Sequence, residues 1–556
     1  MTTALPAVLA AYTPDVHAVG GSLTGTALLG LVPLAVFFLL LMVAKWSAFQ
    51  SALGSLVTAL LVATLGYGMP AGLSFLSATQ GIFNGLFPIM LIVVAAIWFY
   101  ELTVVSNRFE DLRRSFSAVG RGDLRIQAIL IAFCFGGLLE ALAGFGAPVA
   151  ITASMLMAIG LPWQKAAVSV LVANTAPVAF GAMAIPLTTA GGLTGIAPED
   201  IAAVVGRQTP LLALFVPMLL LFLVDGVRGF RQLWPIALVT GTVFGVVQFL
   251  CSSYFAYELT DVVSSLAAFA TAVLMLRVWT PKTPDDQRSQ VEPEPLTARR
   301  VTLATLPYLL VIVIFGVAKL TVGVDMPSLL GKAAVQFGWP GLDGKLLTGD
   351  GTPSSSSVYK LDVLGNPGTL LIITGLLVIL IYSLAGDRDR FPMSGRTGLL
   401  AAGRTLKNMR GAIATVATVM ALAYVMNQSG QTVAIGTWLA AVGSIFALFS
   451  PALGWLGTAV TGSDTSANAL FATLQQSAGK GAGIDPTLLV AANSSGGVVG
   501  KLVSPQNLTI AATAVGQPGS ERILLGKVVG YSVVMLAVLG VLVWLQSTPA
   551  LSWMLP

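Results

Sequence analysis

Charged residues are scarce in this chain: only 10% of its 556 residues are Asp, Glu, Lys or Arg, whereas 56% are hydrophobic. Soluble globular chains carry about 25% charged residues. A deficit this large, spread over the whole chain, excludes a soluble globular enzyme, a disordered protein and a nucleic-acid-binding protein. Helices satisfy their own backbone hydrogen bonds inside lipid, so the composition predicts an all-α polytopic membrane protein.

Cysteine and histidine are almost missing, with two residues of the first and one of the second. Cys134 and Cys251 lie in apolar runs, and His17 lies in the polar N-terminal stretch. So few ligands argue against a disulfide framework, an iron–sulfur cluster, haem and a zinc site. We therefore expect neither a metal nor a cofactor.

Long apolar runs are frequent, and a hydrocarbon layer about 30 Å thick needs about 20 helical residues to cross it. The candidate runs lie near residues 26–44, 48–68, 84–105, 126–142, 147–160, 166–185, 209–225, 233–251, 255–276, 303–322, 367–385, 411–427, 433–449, 451–476, 487–514 and 527–546. Some of them are too short to cross, so we expect about 12 to 16 membrane segments, including re-entrant hairpins. The first run lacks the basic start of a secretory signal and is expected to be a permanent span.

Lys and Arg are concentrated in three loops, which the positive-inside rule assigns to the cytoplasm. The clusters are Arg108, Arg113, Arg114, Arg121 and Arg125; Arg277, Lys282, Arg288, Arg299 and Arg300; and Arg388, Arg390, Arg396, Arg404, Lys407 and Arg410. Neither the stretch before residue 26 nor the tail after Lys527 carries a Lys or Arg. We therefore expect both termini outside the cell, together with a polar external insert at 323–366.

Two parts of the chain are related by a constant shift of 319 positions. The matched positions are Asn174 with Asn493, Gly181 with Gly500, Pro186 with Pro505, and Gly144-Phe145-Gly146 with Ser463-Asp464-Thr465. Flanking charges make the first segment run outward and the second run inward. Opposed direction predicts two inverted repeats with broken helices or re-entrant hairpins, the architecture of many secondary transporters.

The repeat divides the chain into three parts. Residues 1–279 form the first transmembrane repeat, with a hairpin and broken helix at 126–186. A cytoplasmic linker follows at 280–300. Residues 301–556 form the second transmembrane repeat, which contains the external insert and a hairpin and broken helix at 451–514.

Both broken segments combine small residues with hydroxyl and amide side chains at membrane depth. Gly-x-Gly-x-Pro interrupts helical hydrogen bonding, and the freed backbone groups have to be buried in protein or line a cavity. A helix that restarts after such a break directs its N–H groups and positive dipole end towards an anion. The candidate substrate-binding residues are Gly144, Phe145, Gly146, Asn174, Thr175, Ser463, Thr465, Ser466, Asn493, Ser494, Ser495 and Lys501. The alternative is that small residues only allow close helix packing.

Charged residues inside apolar segments are expected to be functional because their burial is costly. Glu140 stands in an otherwise uncharged stretch, Asp464 lies in the second break, and Glu101 follows an apolar run. These three carboxylates are the candidate proton-coupling or cation-binding groups, although Glu101 also fits an interfacial position near Arg108. Lys501 is a candidate partner for an anion or for Asp464.

The sequence resembles the lactate permease family of secondary transporters over most of its length. The resemblance lies in EALAGFGAPVAITA (140–153), ANTAPVAFGAMAIP (173–186), GSDTSANALF (462–471) and AANSSGGVVGKLVSPQN (491–507). It implies uptake of L-lactate, and often of D-lactate and glycolate, with a proton across the bacterial plasma membrane. The expected partners are thus a small carboxylate, a proton and the lipid bilayer, with no nucleic acid, and no oligomeric state is indicated.

The resemblance settles no residue's role, and the roles of the candidate residues are our hypothesis from the physics of moving an anion with a proton. Asp464 or Glu140 is expected to carry the proton. The break amides, Thr175, Ser494, Ser495 and Lys501 are expected to hold the lactate carboxylate, and Asn174 or Asn493 its 2-hydroxyl. Three alternatives stay open: a porter for another small carboxylate or anion, a cation/proton antiporter, and an intramembrane hydrolase with a Ser504–Lys501 pair. The sequence favours a transporter that is not an enzyme.

Overall fold

Hydrocarbon contains no water to bind backbone N–H and C=O groups. The long apolar runs of this chain therefore form helices, in which these groups bind one another. The computed structural model describes residues 10–120, 122–144, 146–289, 296–319, 321, 324–348, 351–385 and 390–556. Within these residues, eleven helices are long and apolar enough to cross a membrane, or twelve when one bent pair counts as a span. The predicted all-α polytopic fold is confirmed. The predicted range of 12 to 16 membrane segments agrees with this count only at its lower limit, twelve.

The helices follow one another along the whole chain. Those of the first half are α1 (Leu23–Phe38), α2 (Ala48–Leu61), α3 (Ala71–Asn84), α4 (Leu91–Val105), α5 (Arg108–Val119), α6 (Leu124–Ala128), α7 (Gly136–Leu142), α8 (Ala147–Ala158), α9 (Trp163–Ala173), α10 (Gly181–Thr194), α11 (Pro198–Val205), α12 (Thr209–Tyr254) and α13 (Thr260–Val278). Those of the second half are α14 (Ala298–Ala318), α15 (Met326–Gly331), α16 (Pro367–Leu384), α17 (Gly395–Gln428), α18 (Gln431–Ala440), α19 (Phe446–Thr461), α20 (Asp464–Ala482), α21 (Pro486–Gly500), α22 (Pro505–Ala514) and α23 (Glu521–Gln546). The strands β1 (Val335–Gly338) and β2 (Val358–Leu361) pair antiparallel within the insert.

The longest helix, α12, is interrupted near its middle. Its 46 residues would extend about 69 Å as a straight helix, more than twice the hydrocarbon thickness. Gly226 interrupts it with a φ of 64° and a ψ of −149°, a conformation that glycine adopts more readily than any residue with a Cβ. The interruption falls between the two apolar runs predicted near 209–225 and 233–251.

Two helical stretches extend beyond the predicted apolar runs. The apolar pattern does not include α3, because Ser74, Ser77 and Gln80 interrupt it, yet all three side chains are buried. α3 packs against α17, and the Gln428 side chain of α17 donates a hydrogen bond to Gln80 Oε1 at 2.9 Å. α17 itself begins at Gly395, well before the predicted run at 411–427. Polar side chains that bind one another between helices thus hide membrane helices from a hydropathy pattern.

The two predicted broken segments have the same order of helices and interruptions. In the first half α7 and α8 are separated at Gly144, and α9 ends at Asn174 before a turn that leads to α10. In the second half α19 and α20 are separated at Gly462, and a turn leads from α21 to α22. Pro505 begins α22, whereas Pro186 lies inside α10. The inverted orientation of the repeats and the proposed division of the chain stay predictions.

The three basic loops contact one another at one face of the protein. Arg300, at the end of the linker, forms an ion pair with Asp111 of the first loop. Asn107 of the first loop donates a hydrogen bond to the Arg390 carbonyl of the third loop at 3.1 Å. All three clusters therefore lie on the same side, as their shared charge pattern requires.

The N-terminal stretch and the insert meet each other. Tyr12 forms an isolated bridge with Leu346, and its backbone N–H donates to the Lys345 carbonyl at 2.8 Å. The insert also contacts the helices, because the Trp339 indole donates to the Thr79 hydroxyl at 3.1 Å. The N-terminal stretch and the insert thus lie on the same side of the protein.

Candidate functional site

A cavity of about 290 Å³ lies where the broken segments of both halves meet. The first half contributes Phe37, Ala48, Glu140, Gly144, Val178, Gly181, Ala182 and Pro186, and the second half contributes Ala412, Thr415, Val416, Val419, Thr461, Gly462, Ser463, Asp464, Thr465, Ser466, Lys501 and Gln506. Three of these side chains are ionisable, and their exposed fractions are 3% for Glu140, 4% for Asp464 and 6% for Lys501. Charges buried this deeply are costly unless they are paired, so their partners decide the chemistry of the cavity.

Glycine makes both interruptions at the cavity possible. Gly144 has a φ of +49° and Gly462 a φ of +75°, in the left-handed region that other residues avoid. After Gly462, the Ser463 hydroxyl caps α20 by accepting a hydrogen bond from the Ser466 backbone N–H at 3.3 Å. The other first-turn N–H groups of α20 have no partner within the helix. α20 therefore begins at the cavity with donors and with the positive end of its dipole.

In the first half of the chain, a left-handed turn lies at the start of α10. Ala182, Met183 and Ala184 have φ values of 45°, 61° and 56°, and a residue with a Cβ pays about 1–2 kcal/mol for this conformation. The turn brings backbone against a charged side chain, because a Cβ added to Gly181 would lie 3.0 Å from Glu140 Oε1. Strain of this kind concentrates at functional sites, where the surrounding packing maintains it.

An ion pair joins the two halves of the chain at the cavity. Lys501 Nζ donates to Glu140 Oε1 at 2.5 Å, and Asn174 Nδ2 donates to Glu140 Oε2 at 2.9 Å. Glu140 lies in α7, and Lys501 lies in the turn between α21 and α22. Both carboxylate oxygens are thus hydrogen-bonded, and the charge of the ammonium group is compensated. Removal of one partner would leave the other charge buried and unpaired, at a cost of about 3–5 kcal/mol.

Asp464, the first residue of α20, is the one of the three ionisable groups at the cavity that forms no ion pair in the described part of the chain. Its Oδ1 accepts a hydrogen bond from the Thr458 hydroxyl at 3.5 Å, and its Oδ2 has no hydrogen-bond partner among the described residues. Gly497 of α21 faces the same carboxylate, and a Cβ on this glycine would clash with Oδ1. Lys501 forms its ion pair with Glu140 and not with Asp464, the carboxylate partner that the sequence motifs suggested.

Comparison with known proteins identifies the family. Residues 26–548 match the family described as L-lactate permease. The chain belongs to the L-lactate permease family. The L-lactate permease of Bacillus subtilis (strain 168) is 39% identical to it, over 98% of this chain and 99% of the relative. The glycolate permease GlcA of Escherichia coli (strain K12) is 36% identical, over 95% of this chain and 96% of the relative.

The YdaH transporter of Alcanivorax borkumensis is a remote structural likeness, with 17% sequence identity and a TM-score of 0.44 over 85% of this chain and 88% of that one. The resemblance that the sequence motifs indicated is confirmed by the family match. The chain is therefore a multi-pass membrane protein of a permease family.

The cavity of this permease brings together many of the residues that the sequence singled out. Those that line it are Glu140, Gly144, Ser463, Asp464, Thr465, Ser466 and Lys501. Asn174 contacts the cavity through its hydrogen bond to Glu140. The two broken segments thus converge, although 319 positions of sequence separate their matched residues.

Two predicted substrate ligands lie in helix packing and not at the cavity. The Thr175 hydroxyl donates to the Val172 carbonyl of its own turn at 2.7 Å. The Ser495 hydroxyl donates to Gln208 Oε1 at 2.6 Å, on the side of α21 that packs against other helices. Both hydroxyls already have a partner, so neither is directed at a solute.

Asn493 and Ser494 of α21 form a second buried network with α20. Asn468 Nδ2 donates to the Ser494 hydroxyl at 2.7 Å, and Asn493 Nδ2 donates to Asn468 Oδ1 at 3.2 Å. These side chains hold the two arms of the second hairpin together. Neither Asn493 nor Ser494 lines the cavity, which is lined instead by Ser463, Thr465 and Ser466 at the break.

Three further predicted residues have other positions. Gly146 precedes α8 with a φ of +86°, and a Cβ on it would clash with Ile510 of α22, so it serves close packing between the halves. Glu101 lies partly buried in α4 and does not line the cavity. Phe145 lies outside the described residues.

Several residues of the site were not predicted from the sequence. Thr461 lines the cavity directly before the motif at 462–471, Gln506 lines it from within the motif at 491–507, and Thr415 lines it from α17, which has no break. Asp261 is a buried carboxylate in an apolar segment, hydrogen-bonded to Gln248 at 3.1 Å. The rule that intramembrane charges are functional would have found Asp261, whereas only the tertiary fold brings Thr415 to the cavity.

Proposed function

We propose that the chain is a secondary active transporter that imports L-lactate, together with D-lactate and glycolate, in symport with a proton. The relatives described above, which match almost the whole chain, are named for L-lactate and for glycolate. The observation that carries the proposal is the buried Glu140–Lys501 pair, a cation compensated by a group that a proton can neutralise. Lactate and glycolate share a carboxylate beside a hydroxyl, so one set of donors serves both.

Glu140 and Lys501 couple the anion to the proton. While Glu140 is ionised, the charge of Lys501 is compensated, and a second carboxylate would be repelled by the first. A proton on Glu140 removes that repulsion and leaves the buried ammonium group without a counter-ion, which is costly. A substrate carboxylate restores the balance. Proton and substrate therefore bind as a pair.

Pairing also makes transport electroneutral. Entry of one negative charge against an inside-negative potential costs about 2.3 kcal/mol per 100 mV. The accompanying proton cancels that cost, and each unit of pH difference then contributes about 1.4 kcal/mol. An acidic exterior consequently drives accumulation of the carboxylate inside.

The start of α20 supplies the other donors for the substrate carboxylate. Ser463, Thr465 and Ser466 line the cavity there, next to the first-turn N–H groups of the helix. Asn174 is bound to Glu140 and Asn493 to Asn468, so Gln506 replaces both asparagines as the proposed partner of the 2-hydroxyl. Gln506 lines the cavity beside Gly462, where a Cβ would clash with its amide oxygen.

We assign the coupling proton to Glu140 because this carboxylate contacts the lysine directly. Asp464 has no cation in contact, and its Oδ2 has no partner among the described residues. An ionised carboxylate in this position would be buried without a partner cation, so Asp464 is proposed to stay neutral throughout the cycle. Glu101 receives no part in the cycle, since it does not line the cavity.

A transporter, and not an enzyme, fits the surroundings of Ser504. A serine–lysine hydrolase needs the lysine amine within hydrogen-bond distance of the serine hydroxyl. The Lys501 amine is bound to Glu140, and the Ser504 hydroxyl accepts from Asn507 Nδ2 at 2.9 Å and caps α22. The Lys501 amine and the Ser504 hydroxyl therefore bind other groups and not each other.

The proposed setting is the bacterial plasma membrane, with the three basic loops in the cytoplasm and both termini outside. The shared face of the basic loops and the contact between Tyr12 and the insert support this arrangement. Lipid surrounds the apolar outer surface of the helices.

Uptake of radiolabelled L-lactate into proteoliposomes tests the proposal. We expect accumulation when the exterior is acidic, its collapse with a protonophore, and none with an inward Na⁺ gradient alone. Unlabelled D-lactate and glycolate are expected to compete. Folded protein that accumulates no carboxylate under either gradient contradicts the substrate assignment, and accumulation driven by Na⁺ contradicts the proton.

A further inference from the structure

A buried carboxylate outside the cavity has no part in the cycle described above. Asp261 lies in the first turn of α13 and is 0% exposed. Its Oδ1 accepts a hydrogen bond from Gln248 Nε2 at 3.1 Å, and its Oδ2 has no hydrogen-bond partner among the described residues. A carboxylate buried at membrane depth without a cation is costly, so a purely structural role would be better served by a neutral side chain.

Asp261 and Glu140 lie on two sides of the same interruption, the turn after α9. Gln248, which binds Asp261, also donates to the Ala176 carbonyl in that turn at 3.2 Å. Asn174, at the start of the turn, donates to Glu140 at 2.9 Å. The turn after α9 is thus hydrogen-bonded to the surroundings of both carboxylates.

The helices that carry the two carboxylates also pack directly on each other. Ser265 lies one turn beyond Asp261 on α13, and Gly137 lies one turn before Glu140 on α7. A Cβ on Gly137 would lie 2.6 Å from the Ser265 hydroxyl. This hydroxyl is buried where the two helices touch and has no hydrogen-bond partner among the described residues.

The buried polar residues beside Asp261 continue in the other direction to the face of the protein opposite the basic loops. Glu258, one turn before Asp261, has a side chain that is 4% exposed and forms an ion pair with Lys319 at 3.2 Å. Lys319 also contacts Glu199, which is 58% exposed, at 3.5 Å. α14 carries Arg300 in its first turn, at the basic loops, and ends at Ala318, so Lys319 and its partners lie at the other face.

We propose that Asp261 is a proton-carrying residue that supplies Glu140 from the outer face by a route separate from the substrate cavity. Asp261 gives its proton to the Glu140 carboxylate by way of the Ser265 hydroxyl, and regains one proton from water by way of Glu258. Among the described residues, Cys251 of α12 is a further titratable group beside Asp261, and Lys319 lies beyond Glu258. The route rests on the proposed function, since it assumes that Glu140 takes the coupling proton.

The variant Asp261→Asn tests the route, because asparagine keeps the hydrogen bond from Gln248 and removes the titratable group. Two rates are measured in proteoliposomes: exchange of labelled for unlabelled lactate at equal pH, and net uptake driven by a pH gradient. Exchange returns the loaded carrier without releasing its proton, whereas net uptake needs one proton for each lactate. We expect exchange close to that of the unchanged protein, and net uptake lowered about tenfold or more. Asp261→Glu is expected to restore part of the net uptake.

Cys251→Ala is the matched control for a disturbance beside Asp261, and it is expected to leave both rates unchanged. Net uptake that survives Asp261→Asn overturns the route. Loss of exchange together with net uptake, in protein of unchanged thermal stability, also overturns it, since Asp261 would then be needed to handle lactate itself. If the unchanged protein exchanges no lactate, the proposed function fails first, and this result is distinct from any effect of the variant.

Discussion

Glu140 and Lys501 are 361 positions apart in the chain, and their side chains meet at 2.5 Å beside the cavity. The first residue belongs to the broken segment of the first half and the second to that of the second half. Because the charge of each is compensated by the other, a proton on Glu140 changes the environment of both halves at once. This contact is where we expect proton and substrate to be coupled.

Glu140→Gln imitates the protonated carboxyl permanently. Lys501 is then available to an anion at any pH, so we expect lactate exchange to continue with little pH dependence and pH-driven accumulation to be lost. Exchange and accumulation in proteoliposomes measure the two effects separately. Accumulation that survives in this variant would exclude Glu140 as the proton site and favour Asp464.

The stability of the ion pair is tested by a double-mutant cycle. Lys501→Met leaves a buried carboxylate without its cation, and we expect a loss of about 3–5 kcal/mol in the free energy of unfolding. Adding Glu140→Gln removes the unpaired charge and is expected to restore most of that loss. Thermal unfolding in detergent measures the three variants. Losses that simply add would show that the two side chains do not interact.

Asp464→Asn tests whether Asp464 takes part in proton coupling, and it breaks no ion pair. Asparagine is neutral, as the protonated carboxyl is, and it has a similar size. We therefore expect the KM for lactate to change little and pH-driven accumulation to be retained. The KM for uptake at several external pH values is the measurement, and loss of accumulation would assign the coupling proton to Asp464.

Gly497 is predicted to be intolerant of a side chain, because a Cβ there would clash with the Asp464 carboxylate and lie 2.7 Å from the Thr458 hydroxyl. We expect Gly497→Ala to fold and to lose most lactate exchange. Gly526→Ala is the matched control, since this helical glycine of α23 has nothing within 4 Å of an added Cβ. Equal exchange in both variants would contradict a role for the packing around Asp464.

The sidedness is tested with single cysteines. Ser355→Cys lies in the exposed part of the insert, and Gly403→Cys lies at an exposed position of α17 among the basic residues. Cys134 and Cys251 are buried and are expected to stay unlabelled. A membrane-impermeant maleimide added to intact cells is expected to label position 355 only, and labelling of position 403 alone would reverse the orientation.

Local chemistry explains why the sequence predicted so much of the site. A glycine with positive φ allows a membrane helix to stop and restart within a few residues, so Gly144 and Gly462 mark two of the breaks in the sequence itself. A carboxylate inside an apolar run is expensive and therefore conspicuous, as Glu140 and Asp464 are. The membrane class, the breaks and the acidic side chains followed from these local rules.

Other features depend on which helices touch, and a hydropathy pattern does not contain that information. Asp464 and Glu140 both lie in the motifs that accompany Lys501, so the sequence offers either of them as its partner. Only the fold decides that Lys501 pairs with Glu140. α3 is hidden in the sequence because its polar side chains are satisfied by partners on α17, such as Gln428.

By itself the sequence determined that this chain spans a membrane, where its helices break, and which family it belongs to, because composition, glycine and buried charge act locally. The tertiary structure decided which polar residues serve the cavity and which serve packing. Ser463 lines the cavity, whereas Ser494 and Ser495 bind neighbouring side chains. The physical reason is that a hydroxyl has the same chemistry everywhere, and its function depends on whether a partner from a distant part of the chain already occupies it.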